Sequence, residues 1–522
     1  MELEDAIGQR LLLWFEGRVA PDWLLELVGR RAVGGVTLFR HLNEAPPAEV
    51  RALTGSLQAA ARAAGRPPLL VCADQEGGQL LALAGTTAFP GNMALGAAGD
   101  EGLARRVGAA IGRELAALGV NVNYAPVCDV NVNPANPVIG VRSFGEDPAL
   151  VARLAAALVE GLQSAGVAAT AKHFPGHGDT AADSHHGLAS LAHGRERLAR
   201  VELPPFAAAF AAGARLVMSA HLALPALTGR ADLPATLSPA VLRHLLRGEL
   251  GFGGVVVSDA LNMAGFGAGA DFGLSLARAA AAGVDLLLLA EPNDHELAYR
   301  ALLAAARDGR LAYDEALASA RRVLALKGWL AEQAQPELDV VGCAEHRALA
   351  AEVAARAITL VRDGAGLLPL RLPHGARVVV ATPALADLTP ADTSSYERCE
   401  LGRALRRHHP GVDELVFPAD PGPDEVGALA LRLAGYDLAV VGTIDAAGRP
   451  GQAALVGELL RRGVPLVAVA LRLPYDLAAY PAAPTCLCTY SVLAPAMEAL
   501  ADALFGAAPL AGRLPVTVPA VA

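Results

Sequence analysis

The stretch VAATAKHFPGHGDTAADSHHG, residues 167–187, carries an apolar run directly into a loop of histidines, aspartates, glycines and one proline. The run, small and β-branched without polar alternation, reads as a strand covered on both faces. Working outward, comparable runs lie at 11–15, 35–39, 69–73, 121–125, 216–219, 254–257 and 284–289. Helical stretches separate them, among them 102–117, 148–165 and 195–212. Eight such β/α units predict a (β/α)8 TIM-type barrel. Polar residues follow the runs: Asp74 the third, Asp129 the fourth, Lys172 and His173 the fifth, His221 the sixth, Asp259 the seventh and Glu291 the eighth. A barrel opens all of these ends onto one face, where its active site belongs, whereas a doubly wound sheet would scatter them.

Residues 1–330 are therefore expected to form the barrel. Residues 331–345, AEQAQPELDVVGCAE, are polar and proline-bearing and read as a linker. Further β-like runs at 358–361, 378–380, 415–417, 438–441, 466–471 and 486–489 predict a smaller α/β sandwich domain over 346–522. It has no GxGxxG loop after its first strand and no Walker sequence, so a nucleotide module is not expected.

The chain has 522 residues, 53% hydrophobic and 18% charged, which excludes intrinsic disorder. Its net charge of -10 and lack of a basic block argue against a nucleic-acid partner. The opening MELEDAIGQR is acidic rather than a basic segment ahead of an apolar one, and the apolar runs are broken by Gly, Pro or charge. The expectation is a cytoplasmic protein without a membrane span, monomeric or homodimeric. Six cysteines form neither a disulfide framework nor a zinc-type cluster. Cys486 and Cys488 read as buried thiols on one face of a strand.

Residues 172–187 hold four histidines, two aspartates and a lysine. Lys172 is one of only two lysines in the chain, Lys327 being the other, which hints that a compact ammonium is needed there. A loop this polar cannot be buried unpaired. His173, His177, Asp179, Asp183 and His185 are chemically suitable metal ligands, but the spacing is not HExxH and no second cluster supports them, so no metal is expected. An anion site at Lys172 would lack the GxxxxGK[ST] pattern.

Glycosyl transfer needs one group to attack the anomeric carbon and another to protonate the leaving oxygen. Asp259, in VVVSDALNM at the tip of a buried strand, suits the first role; the structural alternative is a helix N-cap. In DSH, Asp183 can hydrogen-bond His185, orienting the ring and raising its basicity, and His185 could instead merely brace the loop. Asp74, beside two glycines in CADQEGG, can accept hydrogen bonds from two vicinal hydroxyls. Arg142, Lys172 and His173 can donate to hydroxyls from the floor, and His221 is placed at the same opening.

Taken together the motifs resemble glycoside hydrolase family 3, in its β-N-acetylglucosaminidase branch. They are DQEGG at 74–78, FPGNMALG at 89–96, NYAPVCDVN from 123 and NPVIGVRSFGEDP at 136–148. KHFPGHGDT at 172–180, DSHHGL at 183–188 and SDALNM at 258–263 complete the set. The resemblance covers residues 5–330 strongly, and the remainder looks like the α/β sandwich many members carry. It implies Asp259 as nucleophile, His185 as general acid/base assisted by Asp183, and hydrolysis with retention. It implies Asp74, Arg142, Lys172 and His173 around the sugar, with Met263 lining the site, and no metal or organic cofactor. The implied substrate is a small carbohydrate, an N-acetylglucosaminide from peptidoglycan turnover. A phosphorylase, a β-glucosidase and a non-catalytic sugar-binding homologue are the alternatives, and the DSH pair speaks against the second. One departure stands out: where the family usually has arginines after DQEGG, this chain has Gln79 and Ala82. Arg40 is a candidate to compensate for the second.

Overall fold

The computed structural model describes residues 1–266, 271–289 and 294–519. Glu291, expected after the eighth strand, lies outside the described residues. Eight parallel strands form where the sequence places them: β1 Leu11–Leu13, β2 Gly35–Leu38, β3 Leu70–Ala73, β4 Val122–Asn123, β5 Ala168–Phe174, β6 Leu216–Ser219, β7 Val255–Ser258 and β8 Leu287–Leu288. They are ordered β7-β6-β5-β4-β3-β2-β1-β8. A parallel bridge between Val257 and Leu286 closes the ring.

Strand periodicity divides each run between two cores. Leu12, Leu70, Cys72, Val122, Ala168, Leu216, Val255 and Val257 fill the barrel. Their neighbours Leu11, Val71, Ala169, Val217 and Val256 join the outer core under the helices. That is why the runs are apolar throughout rather than alternating. At the N-terminal end of the barrel, Lys327 from helix Tyr313–Ala331 donates to Gln9 Oε1 at 2.7 Å and to the Val33 carbonyl at 3.3 Å. Burial pushes this ammonium down to about 7.

Two expectations are corrected. The helix predicted over 195–212 is two helices, Arg195–Arg200 and Leu203–Ala211. Pro204 and Pro205 open the second and have no N–H to continue the first. Strand β5 runs beyond 171 to Phe174, so Lys172 and His173 are strand residues rather than the start of the loop.

The second sheet contains β9 Thr359–Asp363, β10 Val378–Pro383, β11 Val412–Phe417, β12 Leu438–Thr443, β13 Leu466–Ala470 and β14 Thr485–Cys488. Its order is β9-β14-β13-β12-β10-β11, with β9 antiparallel to β14 and the other pairs parallel. Val378, Val380, Val440 and Val467 face helices that include Leu401–Arg406 and Ala494–Leu504. Val379, Ala381, Val441 and Ala468 face helices Pro423–Leu433 and Pro450–Arg461, in the same cluster as the barrel's outer core. The layers make an α/β sandwich, and Cys486 and Cys488 are buried together on the second face.

A single carboxylate ties the barrel to the segment that follows it. Glu114, on helix Glu101–Ala117, accepts from Thr87 N and Oγ1 at 2.8 and 2.5 Å, Gly342 N at 3.0 Å and His346 Nδ1 at 2.7 Å. Glu114→Ala would leave several buried donors unmatched. It is expected to lower the unfolding free energy by roughly 2–4 kcal/mol, read from urea titration, and to speed amide hydrogen exchange at Gly342.

Candidate active site

At the C-terminal ends of the barrel strands lies a cavity of about 360 Å³. Its wall brings together Asp74, Arg142, Lys172, His173, His185 and Asp259. The register between β5 and β6 shifts between Ala171 and Phe174, so the adjacent Lys172 and His173 both reach the cavity.

The floor is a charge network. Lys172 Nζ lies 2.5 Å from Asp74 Oδ1 and 2.6 Å from Glu76 Oε1. Arg142 donates to Glu76 through Nε at 3.0 Å and Nη2 at 2.8 Å, and through Nη1 to the Val138 carbonyl at 3.1 Å. Burial disfavours the Glu76 anion, but Arg142 and Lys172 outweigh it and hold the carboxyl at about 2. Burial likewise opposes the Lys172 ammonium, and Asp74 and Glu76 outweigh that by raising its pKa. With two of its three N–H groups engaged, Lys172 keeps one for a ligand. Asp74 offers its second oxygen, which has no protein partner among the described residues.

Asp129 organises the next layer. It accepts from the His173 ring Nδ1 at 2.7 Å and from the His177 backbone N–H at 2.6 Å. Burial raises its pKa, but His173 more than offsets this and the carboxyl titrates low. His173 Nε2 lies 3.4 Å from Arg142 Nη2, so both ring nitrogens are engaged within the protein.

Asp259 follows β7 directly. Its N–H donates to the Ser219 carbonyl at 3.1 Å, and its Oδ1 accepts the Ala260 N–H at 2.9 Å. Burial works against the anion, but His173, His221 and His185, with the Ala260 N–H, hold the carboxyl below its ordinary value. His221 is not at the opening as expected. It is buried beneath the site, with Nε2 donating to the Ala260 carbonyl at 3.1 Å and Nδ1 2.9 Å from the Thr236 hydroxyl. Burial lowers its pKa, and it braces the turn after Asp259. Met263 closes that turn through its N–H to the Ala260 carbonyl at 3.2 Å. It is buried and is not among the described residues lining the cavity.

The Asp183–His185 pair forms as the sequence suggested. Asp183 Oδ1 accepts from His185 Nδ1 at 2.6 Å and from its backbone N–H at 2.8 Å. Burial pushes the Asp183 carboxyl up, but these bonds prevail and lower it. The His185 Nε2 is left without a protein partner among the described residues, and the residue lines the cavity. The loop between β5 and this pair is pinned at both ends. Gly178 passes so close to Val130 that a Cβ would stand 1.9 Å from its carbonyl oxygen. Farther on, Gly265 N donates to Ser184 O at 3.0 Å and Ala264 N to His185 O at 3.4 Å.

Sequence reasoning passed over Glu76, put Asp129 on the active-site face without a specific role, and singled out no residue of the second domain for the site. The signal for Glu76 was charge balance. Lys172 and Arg142 bring two cations toward Asp74, and Glu76 lies two residues from it on an extended segment, Gln75–Gly77. Part of the rim comes from residues 387–396, which follow β10. Ala82 and Arg40 line the same cavity. Gln79 Nε2 donates to Ala391 O at 2.9 Å, and its Oε1 receives Arg472, itself paired with Asp392 at 2.7 Å. Among the described residues no group of three or more His, Cys, Asp or Glu side chains converges as a metal site, and no helix is long and apolar enough to cross a membrane.

A barrel whose cavity gathers a carboxylate, a histidine–aspartate pair and a floor of paired charges offers a polar ligand both donors and acceptors, and comparison with known proteins gives its class. The family model described as the glycosyl hydrolase family 3 N-terminal domain matches residues 3–326. The chain belongs to glycosyl hydrolase family 3 and is a glycoside hydrolase. It is 34% identical to β-hexosaminidase A of Pseudoalteromonas piscicida, over 95% of this chain and 91% of that one. It is 33% identical to a β-N-acetylglucosaminidase/β-glucosidase of Cellulomonas fimi, over 95% of this chain and 90% of that one. A solved family 3 β-N-acetylglucosaminidase from Paenibacillus sp. str. FPU-7 superposes with a TM-score of 0.93 at 39% identity, covering 99% of each chain.

Glu76→Gln should leave Arg142 and Lys172 buried without their shared anion and cost roughly 3–5 kcal/mol of stability at pH 7. Because the Glu76 pKa falls from 4.5 to about 2 on folding, its stabilisation is complete above pH 4.5 and is lost as pH drops towards 2. The variant's stability, measured by urea unfolding across that window, should therefore depend less on pH than the parent's. Because the Asp259 carboxyl is held below its ordinary value, any acid limb of kcat/KM that follows it should lie below the ordinary aspartate range, read from a pH–rate profile over the range in which circular dichroism reports an intact fold.

Proposed function

We propose that the chain is a retaining β-N-acetylglucosaminidase that removes terminal β-linked N-acetylglucosamine through a covalent glycosyl-enzyme. The observation carrying this reading is the joint presence in one cavity wall of Asp259, held as an anion, and of His185, aligned by Asp183. Support for the 2-acetamido sugar comes from the relatives named above, a β-hexosaminidase, a β-N-acetylglucosaminidase/β-glucosidase and a β-N-acetylglucosaminidase.

Asp259 Oδ1 is occupied by the Ala260 N–H, so Oδ2 attacks the anomeric carbon. As that bond forms, the glycosidic C–O bond breaks and the departing oxygen takes a proton from His185 Nε2. The ring's positive charge is stabilised by Asp183 through Nδ1–H. In the second half His185 Nε2 takes a proton from water, the water oxygen bonds to the anomeric carbon, and Asp259 leaves. Lys172 donates its remaining N–H to a sugar hydroxyl, Asp74 accepts from hydroxyls, and Arg142 and His173 complete the cradle, with Met263 behind the nucleophile.

In this reading residues 1–330 are the catalytic barrel, 331–345 the linker and 346–522 the sandwich domain. The six unpaired cysteines suit a reducing compartment, and we place the enzyme in the cytoplasm, acting on fragments of peptidoglycan turnover.

A panel of aryl β-glycosides with and without the 2-acetamido group tests the reading. The parent should turn over the N-acetylglucosaminide and release the β-anomer first, seen by proton NMR. Asp259→Ala should lower kcat at least about 10⁴-fold, and His185→Ala about 10²–10⁴-fold. Release of the α-anomer first, or full activity in Asp259→Ala, would overturn it.

A further inference from the structure

The cavity is graded from a buried floor to an open rim. Lys172, Arg142 and His173 are buried, while His41, Asp387, Pro390 and Tyr396 are exposed. Three of those four rim residues come from the second domain. Among them Tyr396 stands out as a large aromatic side chain, 40% exposed at the mouth of the site. Unsupported aromatic area in water is unfavourable, yet this ring is held in place. The Arg40 guanidinium sits 4.8 Å from its centroid, and Arg40 is itself fixed by the Leu81 carbonyl at 3.4 Å and Glu397 at 3.3 Å.

The segment bearing Tyr396 is anchored to the barrel. Thr393 N and Oγ1 donate to the Gln79 carbonyl at 2.8 and 3.0 Å, and Thr393 Oγ1 accepts Leu81 N at 3.1 Å. Arg472, paired with Asp392 within the second domain, also contacts Gln79 of the barrel. Interdomain bonds on both flanks make the rim a preorganised surface.

We propose that Tyr396 is the platform for the leaving group, stacking against the ring of the sugar from which the terminal residue is cleaved. The inference rests on the glycosidase reading above. With the terminal sugar on the charged floor, the leaving group lies on the side open to solvent, which is the rim. A β-linked pyranose presents a flat face of C–H groups, and an exposed aromatic ring is its natural counterpart. The ligand class is therefore a saccharide aglycone of at least one ring, and Tyr396 is a specificity-determining residue supplied by the second domain.

The test compares kcat/KM for N,N′-diacetylchitobiose with that for methyl N-acetyl-β-glucosaminide, in the parent and in Tyr396→Phe, Tyr396→Leu and Tyr396→Ala. Because kcat/KM covers only steps in which the leaving group is present, the ratio isolates its binding. The disaccharide-to-methyl ratio is expected to fall about tenfold in Tyr396→Ala and Tyr396→Leu and to be retained in Tyr396→Phe. A ratio unchanged in the Ala and Leu variants, or lost equally in Tyr396→Phe, overturns the platform while leaving the glycosidase reading intact. A parent that turns over neither glycoside overturns the glycosidase reading and this inference with it.

Discussion

One buried anion between two buried cations governs the site. Glu76 accepts both arms of the Arg142 fork and shares Lys172 with Asp74. Taking an ammonium and a guanidinium out of water costs several kcal/mol each, and only a carboxylate placed between them makes their burial tolerable. Once Glu76 satisfies them, Lys172 keeps one N–H for a polar ligand. The charges also fix geometry, since Arg142 stands on the loop after β4, Lys172 on β5 and Glu76 after β3. Three neighbouring strand ends are thereby locked into one arrangement.

Much of this architecture could be read from the chain. Apolar runs of strand length, each closed by a polar residue, pointed to the barrel and to the face carrying its chemistry. Asp259, Asp183, His185, Asp74, Arg142, Lys172 and His173 were legible because each stands at a strand end or in a glycine-rich loop. What was not legible depends on partners distant in sequence. His221 looked like a mouth residue from its position after β6, and only the fold reveals Thr236 and the Ala260 carbonyl enclosing it. The break at Val201 and the extension of β5 to Phe174 reflect local hydrogen bonding that hydrophobic patterning does not report.

The second domain illustrates the same limit. Arg472 and Asp392 are unremarkable in the sequence, and neither belongs to a motif. In the fold they meet Gln79, which departs from the family's usual arginine. A cation brought from more than 390 positions away occupies that neighbourhood. The outer core running unbroken from the barrel to one face of the second sheet keeps the two domains in fixed register, so the contact can form.

The stitching of residues 264 and 265 to Ser184 and His185 has its own consequence. His185 and Asp259 belong to different β/α units, yet the segments bearing them share backbone hydrogen bonds. A swing that carried His185 outward would have to break those bonds or drag the turn after Asp259 along with it. Movement of the histidine-bearing loop and movement of the turn that backs the carboxylate are then a single displacement, so neither segment shifts without the other.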